Sequence, residues 1–416
     1  MNQSETACLY ANRTVNSRRS GSSSKWFHRQ PEDMFYHRLG HVPPKRHIQF
    51  RKPDGSLYSE ELMSTKGFSG IYSNVYKLSP PTKVTQLGAT ETKPLVAWNE
   101  QRLRHHHLRT KAAARKGDYL SSRVPILFNS DVVMSIALPS EQASFFYRNG
   151  AADEVVFVHE GDGVLATQLG NITYKHGDYL VIPRGLTHQF RFSAGNQRFF
   201  IIELNSPVQT PKRYRNEFGQ LLEHSPFCER DLHPPTVLET HDETGDFEIY
   251  VKKGDLFARY CYDRHPFNVV GWDGFYYPYR FSIYDFEPIT GRIHQPPPVH
   301  QVFEATGVVI CNFVPRLFDY HPEAIPAPYN HSNVDSDEVL YYVDGNFMSR
   351  KGIDVASLTI HPGGIPHGPH PGTVEKSIGA KETNEYAVMI DTFKPLTLAK
   401  DAEQFDDAAY PMSWSV

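Results

Sequence analysis

The stretch "YNHSNVDSDEVLYYVDG", Tyr329 to Gly345, sets His331 and three acids, Asp335, Asp337 and Glu338, directly before an apolar run. Imidazole and carboxylate are ligand types for a divalent cation, and such a ligand works best when its strand holds it rigidly. The three acids differ in setting. Asp335 and Asp337 belong to "NVDSD", where Asn, Asp and Ser favour turns and cap their own backbone. Glu338 instead opens the β-run. Because a strand alternates its faces, Glu338, Leu340 and Tyr342 share one side of "EVLYYV". The chain has 21 histidines, so a histidine counts only by its spacing to other ligand types.

Two segments share one skeleton. Glu154 opens "EVVFVHEGDG" and is followed by "GDYLVIPRGLTH", where Pro183, Gly185 and His188 are spaced PxGxxH. Glu338 opens "EVLYYVDG" and is followed by "LTIHPGGIPH", where Pro362, Gly364 and His367 repeat that spacing. Each copy has an acid, a β-run, a turn glycine, more strand, and a Pro-Gly turn that aims a histidine.

The elements that must position these residues are short strands. The 416 residues suffice for two or three compact units, and 31 prolines, 28 glycines, 23 tyrosines and 26 phenylalanines favour strands and punctuated turns over a helical bundle. A polar, serine-rich tail is expected over residues 1–25. "RHIQFRKPDGSLYSEEL" reads as a hairpin and "DFEIYVKKGDLFARYCYD" as strand–turn–strand. The excursion from Ser206 to Gly245 has "RNEFGQLLEH" as its one helical-looking piece, and "TLAKDAEQFDDAAY" reads as one short helix. Net charge is −4 with no long block of like charge, which excludes a nucleic-acid tail or a membrane-surface patch. No apolar stretch is long enough to span a membrane. Cys8, Cys228, Cys261 and Cys311 form no CxxC pair, which fits a reducing, cytoplasmic setting.

The repeated acid-strand and PxGxxH motifs resemble the cupin family. That resemblance implies two small antiparallel β-barrel units in a mainly β chain with few, short helices. The first unit is expected at about 125–205 inside an N-terminal domain of 26–280, and the second is a catalytic domain of 281–416. A metal-binding cupin supplies histidine shortly before the acid. The second copy has His331, completing His331, Glu338 and His367 as a facial set of two histidines and a carboxylate for Fe(II). The first copy has "YRNGAADE" there, so Glu154 and His188 are expected as a hydrogen-bonded pair in a unit without metal.

Longer stretches narrow the family. "MFYHRLGHVPPKRHIQFR", "GSLYSEELMSTKGFSGIYS", "PEAIPAPYNHSNVDSDEVLYYVDG" and "HPGGIPHGPHPG" together resemble homogentisate 1,2-dioxygenase. The resemblance implies one Fe(II) per chain, dioxygen and a small aromatic acid as substrates, opening of homogentisate to maleylacetoacetate, and trimers pairing into hexamers. It carries the iron ligands onto His331, Glu338 and His367, with one residue more between His331 and Glu338 than in animal enzymes. His294 matches the active-site base, with His300 as competitor; His361 matches a second active-site histidine, and Tyr329 a substrate-proximal tyrosine. His367 also faces the substrate. Phe347 stands where family members have a tyrosine beside the substrate carboxylate, and Arg350 where they have lysine. Phe347 leaves open a dioxygenase of another hydroquinone acid such as gentisate. A non-catalytic bicupin binding protein and a cupin isomerase are the readings from other classes.

Overall fold

Runs rich in Val, Ile, Phe and Tyr, bounded by Gly, Pro and Asn, fold into strands, and pairing between distant runs assembles them. A computed structural model of the chain describes residues 36–415, apart from 101, 194, 346 and 348–351. The tail expected over 1–25 and the cationic candidate Arg350 lie outside the described residues. The chain is mainly β. Among the described residues its single α-helix is Thr373–Ser377.

The first unit is built on two seven-stranded sheets. One runs, in spatial order, Tyr279–Ser282, Asp178–Ile182, Asp153–Glu160, Arg198–Leu204, Val132–Ala137, Arg123–Phe128 and Thr397–Leu398. The other includes Gly163–Thr167 and His188–Phe192, which contribute Leu165 and Phe190 to a buried cluster with Val156, Val158, Phe199 and Ile201 of the first sheet. The second unit is built on a six-stranded sheet in the order Gln301–Ala305, Val308–Phe313, Tyr386–Thr392, Asp337–Asp344, Leu358–His361 and His106–Leu108. Its Val339, Tyr341 and Val343 face a core shared with the first unit, where Tyr341 stacks on Phe200 at 4.6 Å. Alternation therefore sends Glu338, Leu340 and Tyr342 to the other face.

The units exchange strands. His106–Leu108, from the N-terminal half, pairs with Leu358–His361. Thr397–Leu398, from the C-terminal end, pairs with Arg123–Phe128. The division expected at 280/281 falls inside the strand Tyr279–Ser282.

Local expectations fare unevenly. The Pro-Asp-Gly turn closes a minimal hairpin, with a bridge from Arg51 to Leu57, and strand–turn–strand spans Thr244–Lys253 and Leu256–Arg264. "RNEFGQLLEH" is not helical. The Asn216 side chain accepts hydrogen bonds from the amides of Phe218 and Gln220, and Gly219 takes φ +83°, so a side-chain-capped turn displaces the helix. The C-terminal piece forms 3₁₀ turns at Lys400–Phe405 and Tyr410–Ser415 in place of one helix.

The first unit also departs from the expected Glu154–His188 hydrogen bond. His188 Nδ1 bonds the Leu186 carbonyl, and its buried Nε2 has no partner. Glu154 is instead gripped by both terminal nitrogens of Arg123 at 3.0 and 3.1 Å, with further bonds from Tyr147 and Asn149. Burial alone would raise the Glu154 pKa, but the Arg123 charge and these bonds pull it down to about 2. Its folded value lies below its unfolded one, so the stabilisation is full above about pH 4.5 and disappears as pH falls toward about 2. Arg123→Met leaves a buried, unpaired carboxylate and is expected to cost roughly 3–5 kcal/mol. Denaturant unfolding should show most of that loss recovered in Arg123→Met with Glu154→Leu; an unchanged midpoint for the single variant would contradict the account.

Candidate functional site

The second copy of the motif places its residues by backbone hydrogen bonds. His331 and His367 face each other across an antiparallel bridge in which each amide donates to the other's carbonyl at 2.9 Å. Residues paired this way project their side chains to the same side, and the two rings lie 4.2 Å apart. Glu338 pairs with His361 on one neighbouring strand and Asp391 on the other, so these three side chains also share a face. Gly364 takes φ +80° in the turn before His367, with its amide donating to the Asn333 carbonyl. A Cβ there would meet nothing within 4 Å, so the glycine answers to backbone conformation rather than space.

The first copy matches atom for atom until the ligands. Gly185 takes φ +78° and donates to the Asn149 carbonyl. Asp153 and Asp337, the residues before the two acids, both accept the amide after the turn proline, from Arg184 and Gly363. Each also accepts a second amide, from Val208 or Leu396. Asp337 is thus a turn clamp, and Asp335 is exposed. Tyr147 stands seven residues before Glu154, as His331 stands before Glu338, and it too pairs with the motif histidine. A phenol in place of an imidazole, with Arg123 on the carboxylate, makes the first copy a salt bridge where the second gathers ligands.

The donors of the second copy suit a cation. One ligand atom from each of His331, Glu338 and His367 lies within 4.8 Å of the others. His331 Nδ1 contacts the Tyr329 carbonyl at 3.2 Å and His367 Nδ1 the Ile365 carbonyl at 3.4 Å. A proton on Nδ1 in each ring leaves the Nε2 lone pairs facing Glu338. His367 Nε2 is buried, makes no hydrogen bond, and stands 3.3 Å from Glu338 Oε1. That orphaned atom beside a buried carboxylate is what a metal ion would satisfy. Burial would raise the Glu338 pKa, but the three neighbouring imidazoles hold it well below the ordinary range.

His361 lies behind Glu338 rather than on the cavity wall. Fully buried, its Nδ1 meets Glu338 Oε1 at 2.7 Å and its Nε2 meets the Tyr410 hydroxyl at 3.3 Å. With its proton on Nδ1 the ring donates to the carboxylate and leaves Nε2 to face the tyrosine hydroxyl. His105, next to the inserted strand, packs on the His361 and His367 rings at 5.3 and 5.8 Å and bonds the Pro366 carbonyl. Neither Tyr410 nor His105 carried a motif in the sequence.

A cavity of about 290 Å³ opens in front of Glu338 and His331. Leu340, Tyr342, Phe347, Ala387 and Met389 form its apolar wall. Phe347 is buried against Tyr342 at 4.5 Å. His294, its side chain 45% exposed, stands at the wall with Nδ1 3.4 Å from Asp319 Oδ2, and the ring of the exposed Tyr329 lies 5.2 Å away. His300 also lines the cavity but is buried; burial, then the Arg316 and His294 charges, drive its pKa down to about 3. Asp391 lines the same wall, and burial together with the Glu338 charge pushes it up to about 7. A larger, open groove of about 1550 Å³ runs along the first unit, but Arg184 there is tied to Asp153 and Arg215 to Thr210.

The homogentisate 1,2-dioxygenase N-terminal family model matches residues 84–283, the half that lacks the histidine–glutamate cluster. "Putative dioxygenase SSO1533" of Saccharolobus solfataricus is 44% identical over 92% of this chain and 99% of its own length. The chain belongs to the homogentisate 1,2-dioxygenase family. Homogentisate 1,2-dioxygenase of Oryza sativa is 26% identical over 57% of this chain, and that of Bradyrhizobium diazoefficiens 26% over 59%. The matched parts span 51% and 57% of those two proteins. Family membership makes this chain a dioxygenase. No helix among the described residues is long and apolar enough to cross a membrane.

Loss of the hydroxyl behind His361 should loosen the ligand set. Tyr410→Phe is expected to weaken metal retention by about 10-fold or more, and Glu338→Gln further still. Equilibrium competition with a chromophoric chelator reads both; wild-type affinity in Tyr410→Phe would remove Tyr410 from the site.

Proposed function

We propose that this chain is an Fe(II)-dependent dioxygenase that opens the ring of homogentisate to maleylacetoacetate, with both atoms of O₂ retained in the product. The supporting observation is the His331–Glu338–His367 cluster, two of whose members, His331 and Glu338, line a cavity with an apolar wall. Iron held there by two neutral imidazoles and one carboxylate would supply neighbouring sites for dioxygen and a phenol, and the electron transfer that couples them.

The chain's own residues do the rest. Leu340, Tyr342 and Phe347 keep water from the ring and hold it flat against an apolar wall. His294 takes the phenol proton, and Asp319, 3.4 Å from its Nδ1, orients the ring. His300 is a poor base, since a ring depressed to about 3 holds a proton weakly near pH 7. His361 keeps Glu338 aimed and charged, as a positioning residue.

A second reading, oxidation of gentisate or another hydroquinone acid, is favoured by Phe347, which offers no hydroxyl to a substrate carboxylate. Oxygen uptake by anaerobically purified, Fe(II)-loaded protein separates the two. Rapid uptake with homogentisate and little with gentisate is expected; the reverse would move the substrate, and no uptake with either would overturn the enzyme reading. His294→Ala should keep its iron while turning over about 100-fold more slowly, and His300→Ala should be nearer wild type.

A further inference from the structure

A cavity that binds an aromatic acid must hold the acid group as well as the ring, and Phe347 cannot supply that contact. Among the described residues lining the cavity, the lone lysine or arginine is Arg316. It sits in the two-residue strand Arg316–Leu317, paired with Glu382–Thr383, and only 17% of its side chain is exposed. Its guanidinium donates to the Val314 carbonyl at 3.1 Å, lies 3.5 Å from Glu385 Oε1, and rests over the Phe313 ring at 5.4 Å. The Val314 bond and the Phe313 face fix the plane of the fork. The nearest Glu385 oxygen, at 3.5 Å, lies farther than the short charge-assisted bonds a buried guanidinium forms best. Burial, the largest influence on it, lowers the Arg316 pKa, the mark of a charge stripped of water and incompletely repaid by its partners.

Its placement relative to the ligand cluster follows from the sheet. Asp391, Met389, Ala387 and Glu385 come at every second position and all line the cavity. Asp391 stands opposite Glu338, and Glu385 stands beside Arg316. One apolar strip, Met389 and Ala387, therefore leads from the candidate metal ligands to the guanidinium.

We propose that Arg316 receives the carboxylate of the substrate and makes the cavity selective for an aromatic acid over its uncharged analogue. Glu385 serves as its resting counter-ion and keeps the fork in place between turnovers. The assignment rests on the dioxygenase reading for the identity of the ligand, but not for the existence of an aryl-carboxylate site. Arg316 is on this account a specificity-determining residue.

The test is binding rather than turnover. Anaerobic calorimetry would compare homogentisate with its uncharged amide on metal-loaded wild-type protein, Arg316→Met and Arg316→Lys. Wild type should prefer the acid, and Arg316→Met should lose about 10- to 100-fold in affinity for the acid while changing little for the amide. Arg316→Lys should restore part of the preference, because it keeps the charge without the fork. Equal weakening of acid and amide in both variants, an unchanged affinity for the acid, or no preference for the acid in wild type would each overturn the proposal. If Arg316→Met does not fold, Arg316→Lys and the wild-type comparison still decide. An Arg316-dependent preference for the acid without oxygen uptake on any hydroquinone acid would sink the dioxygenase reading and leave this site standing. Oxygen uptake with no such preference would do the opposite.

Discussion

Glu338 is an ionised carboxylate with only 9% of its side chain exposed, and a buried charge persists only where opposite charge and hydrogen bonds surround it. The structure meets that requirement at the same strand position in both units, by different means. In the first, Arg123 grips Glu154 with two nitrogens, and Tyr147 and Asn149 add their donors. In the second, three imidazoles approach Glu338, and one of them, His367, leaves a buried nitrogen without a hydrogen bond. The first solution is closed and structural. The second leaves an open donor set of the kind a cation would satisfy.

The exchange of strands between the units has a bearing on this site. The inserted strand His106–Leu108 brings His105 against the backs of His361 and His367, and it is anchored on Asp406 by a hydrogen bond from His106 and an ion pair with Arg104. The C-terminal 3₁₀ turns bring Tyr410 to His361, and Trp414 packs on His105 and His370. The candidate ligands lie in one half of the sequence, while part of the packing around them comes from the other. A family match confined to residues 84–283 is therefore relevant to the site, because that stretch includes His105 and the strand next to it.

What the sequence made legible was local and periodic. Glu338, Leu340 and Tyr342 share the cavity side because a strand has period two, and the PxGxxH turn delivers its histidine because glycine supplies φ +80°. The role of Asp337 was also written there, in the Asp-Glu pair that opens both copies. Tyr147 at the place of His331 was likewise visible in the spacing. Arg123, Arg316, Tyr410 and Asp391 were not, since each reaches its site by pairing across dozens of residues with no periodic trace. "RNEFGQLLEH" failed for a different reason: helix propensity lost to the Asn216 side chain, which satisfies the backbone locally.

The claim on which the rest turns is that, of the three histidines around Glu338, two face the cation and one braces the carboxylate. X-ray absorption at the iron edge of the Fe(II)-loaded protein tests it directly, because imidazole rings give a countable multiple-scattering signature. The account predicts two imidazoles with the remaining first-shell scattering from oxygen. Three imidazoles would place His361 on the metal, and fewer than two would dissolve the site.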